Sequence, residues 1–301
     1  MSVVLERTNA AAIASALLRA RRQAGSPAMG MVLTMVIVVD ESDADEALKS
    51  ARNAAREHPA RLLAVVLGSG RGPARVDAEV RTGSGVSGEM ALIRLSGEVT
   101  RHPQSVVLPL LLPDSPVVVW WPGDAPDDPA DDPLGQLAKR RITDAAAVAR
   151  GKSRAMLTQC RSYAPGNTDL AWTRITGWRA LLAAALDQDK AKVSGASVTA
   201  ERISPSADLL GAWLSDRLKV KVERHYSKGP GITEVVLTTK EGDIRLSRLD
   251  GKLATLSSPG QPDRPVALKR REVDELLAEE LRRLDPDDVY AATVKRMVKQ
   301  R

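Results

Sequence analysis

The sequence predicts an α/β N-terminal domain with a mixed, partly parallel sheet, then an α+β C-terminal domain with an antiparallel meander and flanking helices. Three observations predict it. Met31–Val39 and Arg61–Leu67 are near-continuous apolar runs rich in Val, Ile and Leu, the mark of strands buried on both faces. Between them lies an amphipathic stretch with acids early and Lys49, Arg52 and Arg56 late, which suits a helix and its dipole. Strand, helix and strand this close together form a βαβ unit with parallel strands and a right-handed crossover. In the last third of the chain, Lys228–Gly231, Glu241-Gly242 and Asp250-Gly251 separate short alternating runs, the pattern of hairpins in series.

Each element follows from local chemistry. Thr8 or Asn9 caps a helix that runs to about Arg22, and Gly25-Ser26-Pro27 breaks it. Ser42 caps the helix from Asp43 to about Glu57, which Pro59 ends. Val76, Ala78 and Val80 alternate with polar residues as a half-exposed strand does, and Met90–Leu95 is its neighbour across a glycine-rich turn. Pro103–Leu112 reads as one short helix and Val117–Trp121 as a strand. Gly123–Pro133, an acidic and proline-rich run, is a loop. Leu134–Arg141 opens a short helix, and Ala145–Gln159 supplies a strand and a helix that complete the first domain. Gly166 and Asn167 mark the boundary, giving domains 1–166 and 167–301.

In the second domain Trp178–Leu186 is a helix, and Ser204-Pro205 caps and starts another through Leu218. Ile232–Thr239, Ile244–Leu249 and Leu253–Leu256 form the meander. Val273, Leu276, Leu277, Leu281 and Leu284 line one helix face; Asp285–Asp288 then caps a last helix carrying Tyr290, Val294 and Met297.

Composition narrows the function. The 301 residues are 43% hydrophobic, enough for two ordinary cores. No run of about 18 apolar residues appears, and the N-terminus has no apolar signal-peptide core, so no membrane partner is expected. A single cysteine, Cys160, cannot form an internal disulfide, which fits a reducing cytoplasm. Forty-four basic residues oppose 38 acidic ones for a net charge of +6, a mixed surface rather than a polyanion footprint. Small clusters at Arg19-Arg21-Arg22, Lys139–Arg141, Lys269–Arg271 and Lys295–Arg301 read mainly as cations in last helical turns. Phe is absent and Tyr scarce, so base-stacking platforms are missing and nucleic acid is not the expected partner.

A search for catalysis returns little. Gly83–Gly88 spells G-x-G-x-x-G, but a strand rather than a helix follows it, so a hairpin loop is the better reading. Gly151-Lys152-Ser153 lacks the earlier glycine of a phosphate loop, where Ala146 stands. Gly68, Gly70, Arg71 and Gly72 follow a buried parallel strand, where α/β folds place ligands, and they are a weak sugar-phosphate or nucleotide candidate beside a plain surface turn. His58, His102 and His225 share no metal-ligand spacing with Cys160. Asp127, Asp128, Asp131 and Asp132 lie in a loop read as flexible, poorly suited to acid–base work. No catalytic set, metal or cofactor is expected.

The tryptophans stand out instead. WWPGD (120–124) ends a strand whose neighbouring side chains point to opposite faces, and DLAWTRITGWR (169–179) runs into a helix that Thr176 can cap. Trp120, Trp121, Asp169, Trp172, Thr173, Arg174, Trp178 and Arg179 mix indoles with guanidinium groups, the residue types enriched at interface hot spots. The same residues serve equally well as glue between the two domains. Together with GMVLTMVIV (30–38) and EMALIRLSGEVTRHPQSVVLPLLLPDSPVVVWWPGD (89–124), these segments resemble OpcA, the glucose-6-phosphate dehydrogenase assembly proteins of cyanobacteria and actinobacteria. The resemblance covers most of the chain, since Val193–Val294 follows the order of that family's C-terminal domain. It implies a non-catalytic partner that binds glucose-6-phosphate dehydrogenase, promotes its active oligomer, and supports the oxidative pentose phosphate pathway and NADPH supply. Cyanobacterial members are linked to thioredoxin control through cysteines; with Cys160 alone, this chain has no intramolecular dithiol.

Overall fold

The computed structural model describes residues 2–23, 30–81, 89–189 and 192–300. The Gly25-Ser26-Pro27 break and the Gly83–Gly88 loop lie outside those residues. Contacts divide the chain into two compact units that interleave in sequence. The first holds Met1–Asp144, Gly166–Thr168 and Val273–Pro286; the second holds Ala145–Pro165, Asp169–Glu272 and Asp287–Arg301. The sequence predicts one switch near Gly166, whereas the chain changes unit five times, after residues 144, 165, 168, 272 and 286; crossings made by packing leave no compositional mark.

In the first unit, the Asn9 side chain accepts the Ala12 N–H at 3.0 Å and opens α1, Ala10–Gln23. Its Ile13, Leu17 and Ala20 are buried, the i, i+4, i+7 stripe of an amphipathic helix. The described strands are β1 (Ser2–Leu5), β2 (Leu33–Val39), β3 (Ala60–Leu67), β4 (Arg75–Arg81), β5 (Met90–Ser96), β6 (Val117–Trp120), β7 (Arg140–Thr143) and β8 (Asn167–Asp169). They form one sheet in the order β1-β4-β5-β3-β2-β6-β7-β8. Its centre is parallel: β2 pairs with β3 and with β6 so that Val36 faces Leu63 on one side and Val119 on the other. The β4 strand runs antiparallel to β5 and to β1. The expected mixed sheet is therefore present.

Two expectations need correction here, and a third is met with narrower bounds. Ser42 is not the cap of the second helix: Glu41–Asp43 is a 3-10 turn, α2 runs Ala44–Ala54, and the Ser42 hydroxyl bonds Asp43 instead. The short helix read in Pro103–Leu112 is α3, Pro103–Val107, continued by a 3-10 turn over Leu108–Leu110; Pro109 has no N–H to extend the α-helical ladder. No helix occupies Leu134–Arg141, which is a 3-10 turn (Gly135–Leu137) followed by strand β7.

That strand buries two cations. Arg141 donates to the Asn167 side chain and to the carbonyls of Ala138 and Gly135, and burial pushes its pKa down. Lys139–Arg141 is thus no helix-end cluster; Arg21 and Arg22, and likewise Arg296 and Lys299, do sit in last turns.

The acidic loop is irregular but pinned, not free. Asp128 accepts the N–H groups of Ala130 and Asp131, and Asp132 those of Leu134 and Gly135. Gly135 is needed because a Cβ there would sit 1.8 Å from the Pro129 carbonyl oxygen and 3.4 Å from the Trp121 ring. The first unit also takes α8, Val273–Arg282, which packs on α2. Asn53 donates to Asp274 at 3.0 Å, and a His58 ring nitrogen lies 3.1 Å from the Ala278 carbonyl.

The second unit is built on β9 (Gly195–Ala200), β10 (Val222–Tyr226), β11 (Ile232–Thr238), β12 (Asp243–Ser247), β13 (Leu253–Ser257) and β14 (Arg264–Ala267). Their order is β10-β9-β11-β12-β13-β14. The meander β11–β14 is antiparallel as expected, whereas β10 lies parallel to β9. Neither β9 nor β14 was legible: GASVTA is made mostly of small residues, and RPVA carries the proline that edge strands tolerate. The helices are α4 (Lys152–Arg161), α5 (Leu170–Thr173), α6 (Thr176–Asp189), α7 (Pro205–Leu218) and α9 (Asp288–Lys299). Ser204 caps α7 by accepting the Ala207 N–H; Asp287 caps α9 by accepting those of Val289 and Tyr290 at 2.9 Å.

Candidate partner-binding site

Of the candidate interface residues, Trp120, Trp121, Asp169, Trp172, Thr173 and Trp178 are buried, while Arg174 and Arg179 are half-buried. Six of the eight side chains therefore offer no surface to a partner in this conformation. Trp120 ends β6, and Trp121 follows it with its N–H donating to the Ile142 carbonyl at 2.9 Å. Trp121 joins the first unit's core with Ile13, Leu17 and Val119.

Trp172 and Trp178 belong to the core of the second unit, with Met156, Leu209 and Tyr290. The indole N–H of Trp172 donates to Asp287 at 2.8 Å. The Arg179 guanidinium stacks on the Trp172 ring, 3.6 Å from its centroid, and donates to the Thr176 hydroxyl. Thr176 is the first residue of α6. Arg248 lies 5.1 Å from the centroid of Trp178. The mixture of indoles and guanidinium groups that suggests a hot spot is here an internal set of cation–π and hydrogen-bonded pairs.

Asp169 shows how the segment is shaped. It is fully buried, and one carboxylate oxygen accepts the Ala171 N–H at 2.8 Å as the cap of α5. The other accepts the Ala145 N–H at 2.9 Å. Replacing it by alanine strands two donors, so Asp169→Ala is expected to lower the unfolding free energy by about 1–3 kcal/mol. Asp169→Asn keeps one acceptor and loses less. Urea titration of both variants checks the order, and an unchanged Asp169→Ala midpoint would contradict it.

The weak ligand candidate lies where the sequence put it, at the carboxyl end of β3. Gly68, Gly70, Arg71 and Gly72 are exposed. The Gly68 N–H donates to the Leu95 carbonyl, and the Ser69 carbonyl accepts the Gly97 N–H, both at 2.8 Å. Gly72 and Gly97 have φ of +90° and +71°, and a Cβ on Gly97 would reach 2.1 Å from the Pro73 carbonyl oxygen. These glycines serve a close turn between backbone segments.

A site that sequence reading missed lies in the second unit. A cavity of about 230 Å³ is lined by Lys152, Arg174, Arg248, Lys269, Arg270 and Arg271, with Glu201 as its carboxylate. The residues come from five separate stretches of chain. The signal was present in Lys269-Arg270-Arg271, which precedes α8 rather than ending a helix. Cys160 is buried, with its sulfur 3.7 Å from those of Met156 and Met297. Among the described residues no cluster of His, Cys, Asp or Glu could hold a metal, and no helix is long and apolar enough to cross a membrane.

Comparison with known proteins bears on two tandem regions. Residues 51–162 match the model described as glucose-6-phosphate dehydrogenase subunit N-terminal domain. Residues 165–294 match the corresponding C-terminal domain. No curated protein matches the chain. Among solved structures, a 3-ketoreductase from Actinomadura kijaniata in complex with TDP-benzene and NADP is similar at 10% identity. That likeness covers 89% of this chain and 95% of the other, at a TM-score of 0.47. An E. coli structure described as trehalose-6-phosphate bound with UDP-2-fluoro glucose is similar at 11% identity, over 65% of each chain, at a TM-score of 0.27. At such scores neither carries an argument about function. With both regions matched in order across residues 51–294, the chain belongs to the OpcA family of glucose-6-phosphate dehydrogenase assembly proteins.

Proposed function

We propose that this chain is a non-catalytic assembly factor that binds glucose-6-phosphate dehydrogenase and favours its active oligomer. In that role it raises flux into the oxidative pentose phosphate pathway and the supply of NADPH, from the cytoplasm. The observation that carries the reading is the pair of matched domains in family order, 51–162 and then 165–294. The absence of a recognisable catalytic set in the sequence supports it. The four candidate indoles are buried, which supports a contact made through other surface, the half-buried Arg174 included.

Mixing the purified chain with its cognate dehydrogenase is expected to shift the dehydrogenase to a larger species in light scattering. It is also expected to lower the apparent KM for glucose 6-phosphate. If particle mass and apparent KM both stay unchanged at micromolar concentrations of each protein, the proposal fails. The single cysteine adds a second expectation: a dithiol reductant leaves the activation unchanged, because no intramolecular disulfide exists to reduce.

A further inference from the structure

We infer that the basic cavity of the second unit is a binding site for a small phosphate monoester, held by Arg248, Arg270 and the start of α7. The first ground is Arg248 itself. Its residue is 94% buried, yet it has no carboxylate partner among the described residues. One terminal nitrogen donates to the Leu268 carbonyl at 2.8 Å and the other approaches the Ile232 carbonyl at 3.4 Å. Its Nε is buried and makes no hydrogen bond. Burial, with the Arg270 charge close by, pushes its pKa down to about 10. The nearby Asp250 charge offsets this only in part; a buried cation without an ion pair is costly, and an anion in the adjoining cavity would relieve it.

The second ground is the backbone. Helix α7, 14 residues long, begins at the cavity wall: Ser204, Pro205 and Ser206 all line it. Ser204 caps the Ala207 N–H, while the Ser206 N–H and hydroxyl make no hydrogen bond among the described residues. Helix starts of this kind carry partial positive charge and outward N–H groups, which suits oxyanions. Lys152, the first residue of α4, lines the same cavity. Lys152, Arg248 and Arg270 line it without an ion pair among the described residues, and the Glu201 oxygen already accepts the Gly231 N–H at 2.9 Å.

The charge excess selects the ligand class. A monocarboxylate neutralises one cation, whereas a phosphate monoester brings up to two charges and three acceptor oxygens, matched to guanidinium forks and N–H groups. The volume selects its size. At 230 Å³ the cavity is below the roughly 300–1,000 Å³ of drug-sized ligand sites, so it suits a phosphate on a short polyol and not a dinucleotide.

The inference does not rest on the dehydrogenase reading. It is tested by calorimetric titration of the full chain with inorganic phosphate and with a hexose 6-phosphate, and by thermal unfolding with each. Both probes are expected to bind saturably and raise the midpoint, with affinity falling as chloride is added. Arg270→Ala, at an exposed position that leaves the fold intact, and Arg248→Met are each expected to weaken binding by about tenfold or more. Flat titrations with both probes overturn the inference, as does full affinity in Arg270→Ala. So does a third result: no phosphate binding, but loss of dehydrogenase binding in Arg270→Ala, which would make the cavity a dock for a partner's carboxylates.

Discussion

Trp172→Ala is expected to lower the unfolding free energy of the second unit by about 3–5 kcal/mol, the range for emptying a large aromatic site. The ring is 2% exposed and packed at 5.4 Å from the Tyr290 centroid. Removal leaves a cavity and also unstacks Arg179. It further strands an acceptor, because Asp287 takes the indole N–H with one oxygen and caps α9 with the other. Trp172→Phe separates these contributions: it keeps most of the packing and loses the hydrogen bond, for about 1–2 kcal/mol. Asp287→Ala combined with Trp172→Phe is expected to be non-additive, since both act through one carboxylate. The measurement is denaturant unfolding followed by hydrogen exchange of α9 amides, because a chain of two units need not unfold in one step. A Trp172→Ala protein with wild-type unfolding that no longer activates the dehydrogenase would place this residue at the interface and refute the packing account.

That outcome matters because burial is what the sequence conveyed least clearly. DLAWTRITGWR carries the same residue types whether its indoles meet a partner or their own core, and only the packing of α5, α6 and α9 decides it. Local signals were reliable where one residue sets the backbone: Ser204-Pro205 at α7, Asn9 at α1, and the Asp287 cap of α9. The apolar runs that became β2 and β3 were legible because burial on both faces demands them. Failures came where tertiary contact overrides local pattern. Leu134–Arg141 has a helical look, but Arg141 finds its acceptors across the chain at Asn167. The basic cavity was invisible for the same reason: Lys152, Arg248 and Arg270 are far apart in sequence and meet only once β12 and β14 have each paired with β13.

Another contact without a local mark gives the other large effect, the ion pair between Arg140 on β7 and Glu280 on α8. Their side chains are 5% and 6% exposed. Two guanidinium nitrogens of Arg140 share one Glu280 oxygen, and the third donates to the Asp285 carbonyl at 3.0 Å. Glu280→Ala leaves the guanidinium buried without its counter-charge, so a loss of about 3–5 kcal/mol is expected. The attraction itself contributes far less than that, because both groups had to leave water to form it. Removing both charges should therefore be milder than removing one: Arg140→Met with Glu280→Leu is expected to unfold at higher urea than Glu280→Ala. The distinction has a structural readout. If the pair is what fastens α8 to the first unit's sheet, Glu280→Ala speeds exchange of the α8 amides while those of β2 and β3 stay protected. Equal loss of protection across all three would mean that the pair supports the unit as a whole. A Glu280→Ala protein as stable as the wild type would mean that water reaches Arg140 and that its burial is only nominal.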